Sequence, residues 1–306
     1  MAIISRTDAQ ALMPEDVART IVEGVPGASS VMALATRLPN MSRAQQRLPV
    51  LSTLPQAYFI SGDTGLKQST RQAWDNKYLN AEELAVILPI PENVMADADY
   101  PIWDQVRPWI VSAIGVAVDA AVLFGTNAPA SWPTNINSAA GTASQTYSVA
   151  APTAGDNDYY DYILGTNGIN AMVEADGFAV TGHVMAMVMK SRLRGLRDSN
   201  GQPIFMRTMQ DTTRYQLDGA DVMFPENGAM DAATALDFAG DWRQLVYAMR
   251  QDLTFKVFTE GVVTDNAGNV ILNLMQQDAI AMRVVMRLAW QVPNPINQLQ
   301  PTEASR

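Results

Sequence analysis

Two slender segments near the amino terminus constrain the fold of this chain more than any other feature. Residues 48–60 and 85–91 are apolar and strand-like, and a turn signal at 61–65 and a polar stretch at 66–80 separate them. This pattern predicts a long two-stranded hairpin with a polar tip. Because an isolated two-stranded hairpin is only marginally stable in water, we expect this one to rest on another molecule.

The second slender segment is the N-terminal arm, residues 1–43. Pro14, followed by Glu15 and Asp16, predicts the first turn of a short helix, because proline and acidic residues suit a helix N-terminus. The helix is predicted to end near Gly24. One short helix cannot form a core of its own, so we expect the arm also to lie on another surface.

The longest helix is predicted over residues 101–124, where apolar residues recur at helical spacing. These residues are Trp103, Val106, Ile110, Ala113, Ala117, Ala121 and Phe124. Pro108 predicts a kink or a late start, and Asp119 falls on the opposite, polar side. The apolar run is shorter than the roughly 20 residues that span a bilayer, so we expect a buried helix of roughly 35 Å and no membrane partner.

The rest of the chain mixes short helices and strands, which indicates an α+β protein. The predicted elements are a loop at 126–157, helices at 158–176 and 184–196, a strand at 178–182, strand-rich stretches at 242–259 and 269–290, and a frayed tail after 293.

Composition excludes several functional classes. The chain has 21 basic and 31 acidic residues, and a net charge of −10 repels phosphate backbones, so we expect no general nucleic-acid groove. Many soluble bacterial proteins are acidic, which explains the same charge equally well. With no cysteine, thiolate and zinc–cysteine chemistry are excluded. Charged residues make up 17% of the chain against about 25% on average, which favours a protein that buries extra surface against partners.

No catalytic, metal or cofactor motif emerges from the remaining residues. His183 is the sole histidine, so a histidine metal pair is impossible and a structural role is the simpler interpretation. Residues 62–69 lack the glycine spacing of a phosphate-binding loop. We therefore predict no enzyme activity and no cofactor.

Five stretches occur in an order that is similar to the major capsid proteins of tailed bacteriophages, which have the Hong Kong 97-type fold. They are ENVMADA before IWD (92–104), GFAVTGH (177–183), LRGLRDSNGQPIF (193–205), GDWRQ (240–244) and the strand at 279–293.

This resemblance implies an α+β Hong Kong 97-like fold built from six parts. They are the arm at 1–43, an extended hairpin loop at 44–88, a peripheral domain with a long spine helix at 89–150, an axial α/β domain at 151–240, return strands at 241–293 and a C-terminal tail at 294–306. The implied function is self-assembly through hexamers and pentamers into an icosahedral shell, with the hairpin lying across a neighbouring copy.

The residues that we expect at the interface lie on the hairpin. Trp74 and Tyr78 would anchor to a neighbour, since aromatic residues dominate interface hot spots, although packing within the hairpin base explains them equally well. Some similar proteins form isopeptide cross-links from a hairpin lysine, for which Lys67 and Lys77 are the candidates here.

That cross-link also needs an amide and a carboxylate on the neighbouring subunit. The corresponding positions hold Gln276 and Arg283, and an arginine cannot accept the proton. We therefore predict no cross-linking.

The resemblance also implies further partners and leaves alternatives open. A separate scaffold, a portal and decoration proteins are implied, with double-stranded genome DNA enclosed without sequence-specific binding and assembly in the bacterial host cytoplasm. Met1 followed by Ala2 favours a native start without a cleaved scaffolding leader. An encapsulin-type nanocompartment would share the fold, and an acidic α/β enzyme or binding module would instead form a small species.

Overall fold

The computed structural model describes residues 29–53, 69, 73–97, 102–149, 158–196, 200, 202, 215–265, 267–293 and 299–304. The helix predicted near Pro14, the tip of the hairpin and Lys67 lie outside the described residues.

The described chain contains seven α-helices and fourteen strands. The helices are α1 Ser30–Leu34, α2 Glu92–Asp97, α3 Ile102–Phe124, α4 Ile136–Thr142, α5 Asp158–Leu164, α6 Ile169–Ala175 and α7 Met187–Gly195, with a 3₁₀ turn at Trp242–Gln244. The strands are β1 Thr36–Arg37, β2 Gln45–Thr53, β3 Ala73–Asn80, β4 Glu82–Pro91, β5 Tyr147–Val149, β6 Gly182–Met185, β7 Tyr215–Leu217, β8 Ala220–Met223, β9 Ala235–Gly240, β10 Val246–Phe258, β11 Val262–Thr264, β12 Val270–Asn273, β13 Ala279–Gln291 and β14 Leu299–Ala304.

A four-stranded sheet in the order β1-β10-β13-β4 carries the long helix α3. Its two central strands, β10 and β13, are antiparallel and confirm the strand-rich stretches predicted from the sequence. Alternate residues of β13 face α3, and the large apolar side chains among them are Met282, Val284, Met286, Leu288 and Trp290. We call this sheet with α3 the peripheral body.

Helix α3 confirms the predicted length, and its core-facing stripe includes the predicted Ile110 and Ala121 but not Ala113. Ile114, Val118 and Val122 are at most 2% exposed, whereas Ala113 is exposed. Burial free energy grows with apolar area, so the larger aliphatic residues take the core-facing stripe. The predicted late start is wrong because the helix begins at Ile102, ahead of Pro108.

The strand pairing predicted for the hairpin is also wrong. Strand β2 pairs with β3, which lies in the stretch predicted to be polar, and β4 instead pairs with β13 at the edge of the peripheral sheet. Leu84 and Val86 of β4 pack against the core of the peripheral body, which stabilises that strand more than a free hairpin would. An edge position also tolerates Pro89, which has no N–H to donate.

The described part of the N-terminal arm lies on its own chain, which corrects the prediction that the arm needs another surface. Val31 and Met32 of α1 are at most 4% exposed in the core of the peripheral body, and β1 pairs in parallel with β10. These few residues bury themselves because α3 and β10 already provide an apolar surface for them.

A second sheet has six strands in the order β5-β14-β9-β6-β8-β7, and we call it the axial sheet. Strand β14 lies inside it, so the prediction of a frayed tail is wrong for Leu299–Ala304. Pro301 pairs with Phe238 of β9, and the parallel pairing with β5 begins one residue later, where an N–H is present.

Several short elements depart from the sequence predictions. The helix predicted at 158–176 is two helices, α5 and α6, which a glycine-containing turn at 165–168 separates. The predicted strand at 178–182 is shifted and becomes β6. The predicted loop at 126–157 contains α4, which the side chain of Asn135 caps by accepting from the Ser138 N–H at 2.8 Å.

Candidate assembly interface

One face of the β2–β3 hairpin carries the exposed aromatic residues. Arg47 lies directly opposite Tyr78, and Pro49 lies opposite Asn76, so all four residues share one face with Trp74. Trp74 is 64% exposed and Tyr78 is 45% exposed. We call this the aromatic face of the hairpin, and it does not pack within the hairpin base.

The opposite face of the hairpin is anchored to the peripheral body. Leu79 is fully buried against Met41, Ala248 and Ala289. The Gln291 amide donates to the Tyr78 carbonyl at 3.1 Å, and the Trp132 indole N–H donates to the Asn80 carbonyl, also at 3.1 Å. The base of the hairpin, at residues 78–80, is therefore fixed to the peripheral body, while the aromatic face is exposed to solvent.

The structure describes one of the two candidate lysines, Lys77, together with the amide and arginine positions of the cross-link. Lys77 lies on the face of the hairpin opposite Tyr78, and Gln276 is exposed in the turn before β13, where its side-chain oxygen accepts from Asn273 at 3.0 Å. The guanidinium of Arg283 lies 5.0 Å from the centre of the Phe258 ring. A cation on an aromatic ring cannot act as the proton acceptor of that chemistry.

A groove runs between the outer side of α3, the first residues of β4 and the loop 126–132, and we call it the α3 groove. Its volume is about 330 Å³, and its lining is mostly apolar. The sequence prediction missed this surface because it placed Ala113 and Ala117 in the core. A signal was present, since between Pro108 and Phe124 the one charged residue is Asp119.

Asp119 is fully buried, which corrects its predicted place on the polar side of α3. Its carboxylate accepts from the Ser29 hydroxyl at 2.5 Å, from the Ser30 and Val31 N–H groups at 3.0 and 3.2 Å, and from the Asn227 amide at 3.1 Å. It therefore caps α1 and joins the arm, α3 and the loop after β8. Burial raises the pKa of Asp119, and these hydrogen bonds offset part of the rise.

His183 is fully buried, and its Nδ1 lies 2.9 Å from Oδ2 of Asp237 on the neighbouring strand. This contact fits the structural role predicted for the histidine. In the part of the chain that the structure describes, no three metal-binding side chains are grouped together. No helix among the described residues is long and apolar enough to cross a membrane.

Comparisons with known proteins give one consistent result. The model of the family described as "Phage capsid family" matches residues 9–298. A solved chain from Microbacterium phage Oxtober96 is 29% identical with a TM-score of 0.75, and the match covers 99% of this chain and 100% of that one. A chain from Mycobacterium phage Bobi is 29% identical with a TM-score of 0.73 over 100% of both chains.

A more distant match shows the fold alone. A chain from the capsid of a native GTA particle is 17% identical to this chain with a TM-score of 0.61, and the match covers 91% of each chain. The comparison with curated proteins returned no match.

Proposed function

The chain belongs to the phage capsid family, and from this premise we propose that its copies assemble through hexamers and pentamers into an icosahedral shell. It is a shell-building structural protein of the virion capsid. The shell encloses the double-stranded DNA genome of a tailed phage without sequence-specific binding, in keeping with the net charge of −10. Assembly takes place in the host cytoplasm, with a portal, a separate scaffold and decoration proteins as further partners.

The observation that carries this proposal is the open aromatic face of the hairpin. Trp74 and Tyr78 expose large apolar areas on a strand whose other face is anchored to its own body. Exposed aromatic residues on a fixed element are typical of interface anchors. The hairpin of one copy then contacts a different surface on the next, and such heterologous contacts close into rings and shells.

The domains take distinct roles in this assembly. The axial sheet packs with α5, α6 and α7 around a second cluster of buried residues, and its Val184 and Phe238 also contribute to the core of the peripheral body. We place the axial domain, residues 151–240, around the hexamer and pentamer axes. Because β4 pairs with β13 from Glu82 onward, we end the hairpin loop at Ala81. The sequence prediction ended it later, at residue 88.

Particle formation by the purified full-length chain tests the proposed function. We expect a megadalton species in size-exclusion chromatography and closed shells in negative-stain electron microscopy. We also expect no enzymatic turnover and no bound cofactor in the purified particles. A small, monodisperse species both alone and together with the other structural proteins of the phage would contradict the proposal.

Assembled particles are expected to dissociate fully on boiling in detergent. Arg283 occupies the position where cross-linking relatives need a carboxylate, so no base assists attack by Lys77 or Lys67. A denaturing gel should show one band at 33.3 kDa. A ladder of higher bands in boiled particles would show that this prediction is wrong.

A further inference from the structure

Strand β14 lies between two other strands of the axial sheet. It pairs antiparallel with β9 along one side and parallel with β5 along the other. Among the described strands, β5 joins the sheet through β14 alone. We call the space between β5 and β9 the strand slot. Backbone groups on both of its sides bond to the strand that occupies it.

Both sides of the strand slot have supports other than β14. On one side, β9 is buried at every position from Ala235 to Gly240 and pairs with β6 along its other edge. On the other side, Val149 of β5 is 4% exposed, and the Tyr147 ring lies 5.2 Å from the Tyr162 ring of α5. The slot is therefore largely preformed, which lowers the ordering cost of binding a strand there.

The register determines which sequences the slot accepts. Pro301 pairs with Phe238 and lies just ahead of the stretch that pairs on both sides, which begins at Thr302. A proline inside that stretch would remove an N–H from one of the two ladders. Thr302 lies opposite Asp237, which is fully buried and whose Oδ2 is 2.9 Å from Nδ1 of His183. Because like charges directly opposite each other destabilise a strand pair, the slot disfavours an acidic residue at position 302.

We propose that the strand slot is a peptide-binding site. Its ligand is an extended segment with the sequence of Leu299–Ala304, and the bound form is the one that β14 adopts in its own copy. Once that strand is detached, the slot accepts the same segment from a second copy of this chain. Main-chain hydrogen bonds provide the affinity, and the register provides the specificity. All of these contacts lie within one axial sheet, so the site does not depend on shell assembly.

Cutting the connection to β14 in the folded protein tests the site. Residues 294–298 join β13 to β14, so a protease recognition sequence inserted there leaves the paired residues of both sheets unchanged. After cleavage, the segment from residue 299 onward should remain with the protein in native size-exclusion chromatography, because its pairing with β5 and β9 persists. A labelled synthetic peptide of residues 294–306 should then exchange into the slot. The uncut chain should not bind this peptide, because its slot is filled.

Peptide variants test the register. Thr302→Pro and Thr302→Asp should each bind the cut protein at least about tenfold more weakly, because the first lacks an N–H in the doubly paired stretch and the second faces Asp237. Gln300→Ala is the matched control, since position 300 lies ahead of the pairing with β5 and alanine keeps the N–H. It should bind like the unchanged peptide. Fluorescence anisotropy measures all of these affinities.

Any of three results would overturn the proposal. They are loss of the cut segment from the folded protein, equal binding of the peptide to cut and uncut protein, and equal affinity of all the peptides. Unfolding of the axial domain on cleavage, measured by circular dichroism, would also overturn it, because the slot would then not persist without a tethered strand.

Discussion

Replacing Trp74 by alanine is expected to leave a folded subunit that no longer forms shells. The side chain is 64% exposed in a single copy, so its loss removes little packing within the subunit. In the proposed assembly it is a buried anchor, and truncating such a residue costs about 2 kcal/mol or more per contact. The loss recurs at every copy of the contact, so even this change should abolish most particle formation.

Two measurements separate assembly from folding in this variant. Circular dichroism and thermal unfolding of the Trp74→Ala subunit should match the wild type, while sedimentation should show a loss of particles. Asn76→Ala, on the same strand and face, is the matched control and should assemble normally because it removes no aromatic anchor. Wild-type particle yield from Trp74→Ala would contradict the proposed role of the hairpin.

Asp119→Ala should lower the stability of the subunit more than the substitutions at exposed positions. The carboxylate accepts hydrogen bonds from two backbone N–H groups, a hydroxyl and an amide in a fully buried position. Alanine leaves these donors without an acceptor, so we expect the free energy of unfolding to fall by about 3 kcal/mol. Denaturant unfolding measures this change, and Asp252→Ala at an exposed site of β10 should change it by less than about 0.5 kcal/mol.

The pH dependence of the loss follows from the raised pKa of Asp119, whose main cause is burial. In the folded subunit the carboxyl holds its proton to a higher pH than in the unfolded chain, so its contribution is largest at acid pH. That contribution falls as the pH rises through the folded pKa. The difference in unfolding free energy between wild type and Asp119→Asn should therefore shrink from pH 4 to pH 7, and an increase would contradict this assignment.

In the hairpin, the local sequence pattern predicted strands but not which strands pair. The sequence indicated strands and an unsupported segment there, but it paired residues 48–60 with 85–91 on hydrophobicity. The structure pairs β2 with the more polar β3, because β4 gains more by completing the peripheral sheet beside β13. The strand that β4 joins depends on a surface formed by residues about 200 positions further along the chain, and the local sequence pattern does not contain that information.

Asp119 and the α3 groove show the same limit within one helix. Helical spacing predicted the length of α3, but alanines at 113, 117 and 121 and larger residues at 110, 114 and 118 both fit a 3.6-residue period. The arm residues Ser29, Ser30 and Val31 supply the donors that make burial of Asp119 possible. These residues reach α3 only through a tertiary contact. That contact therefore determines which face of α3 is buried.

The sequence by itself determined the α+β class, the long helix, the two long return strands and the aromatic residues at 74 and 78. These features depend on periodicity and residue type, which act over a few neighbouring positions. Tertiary structure alone decided the partner of β4, the place of β14 inside the axial sheet, the burial of Asp119 and the open groove beside α3. Each of these depends on contacts between residues far apart in the chain, whose free energy is fixed only when the whole fold brings their surfaces together.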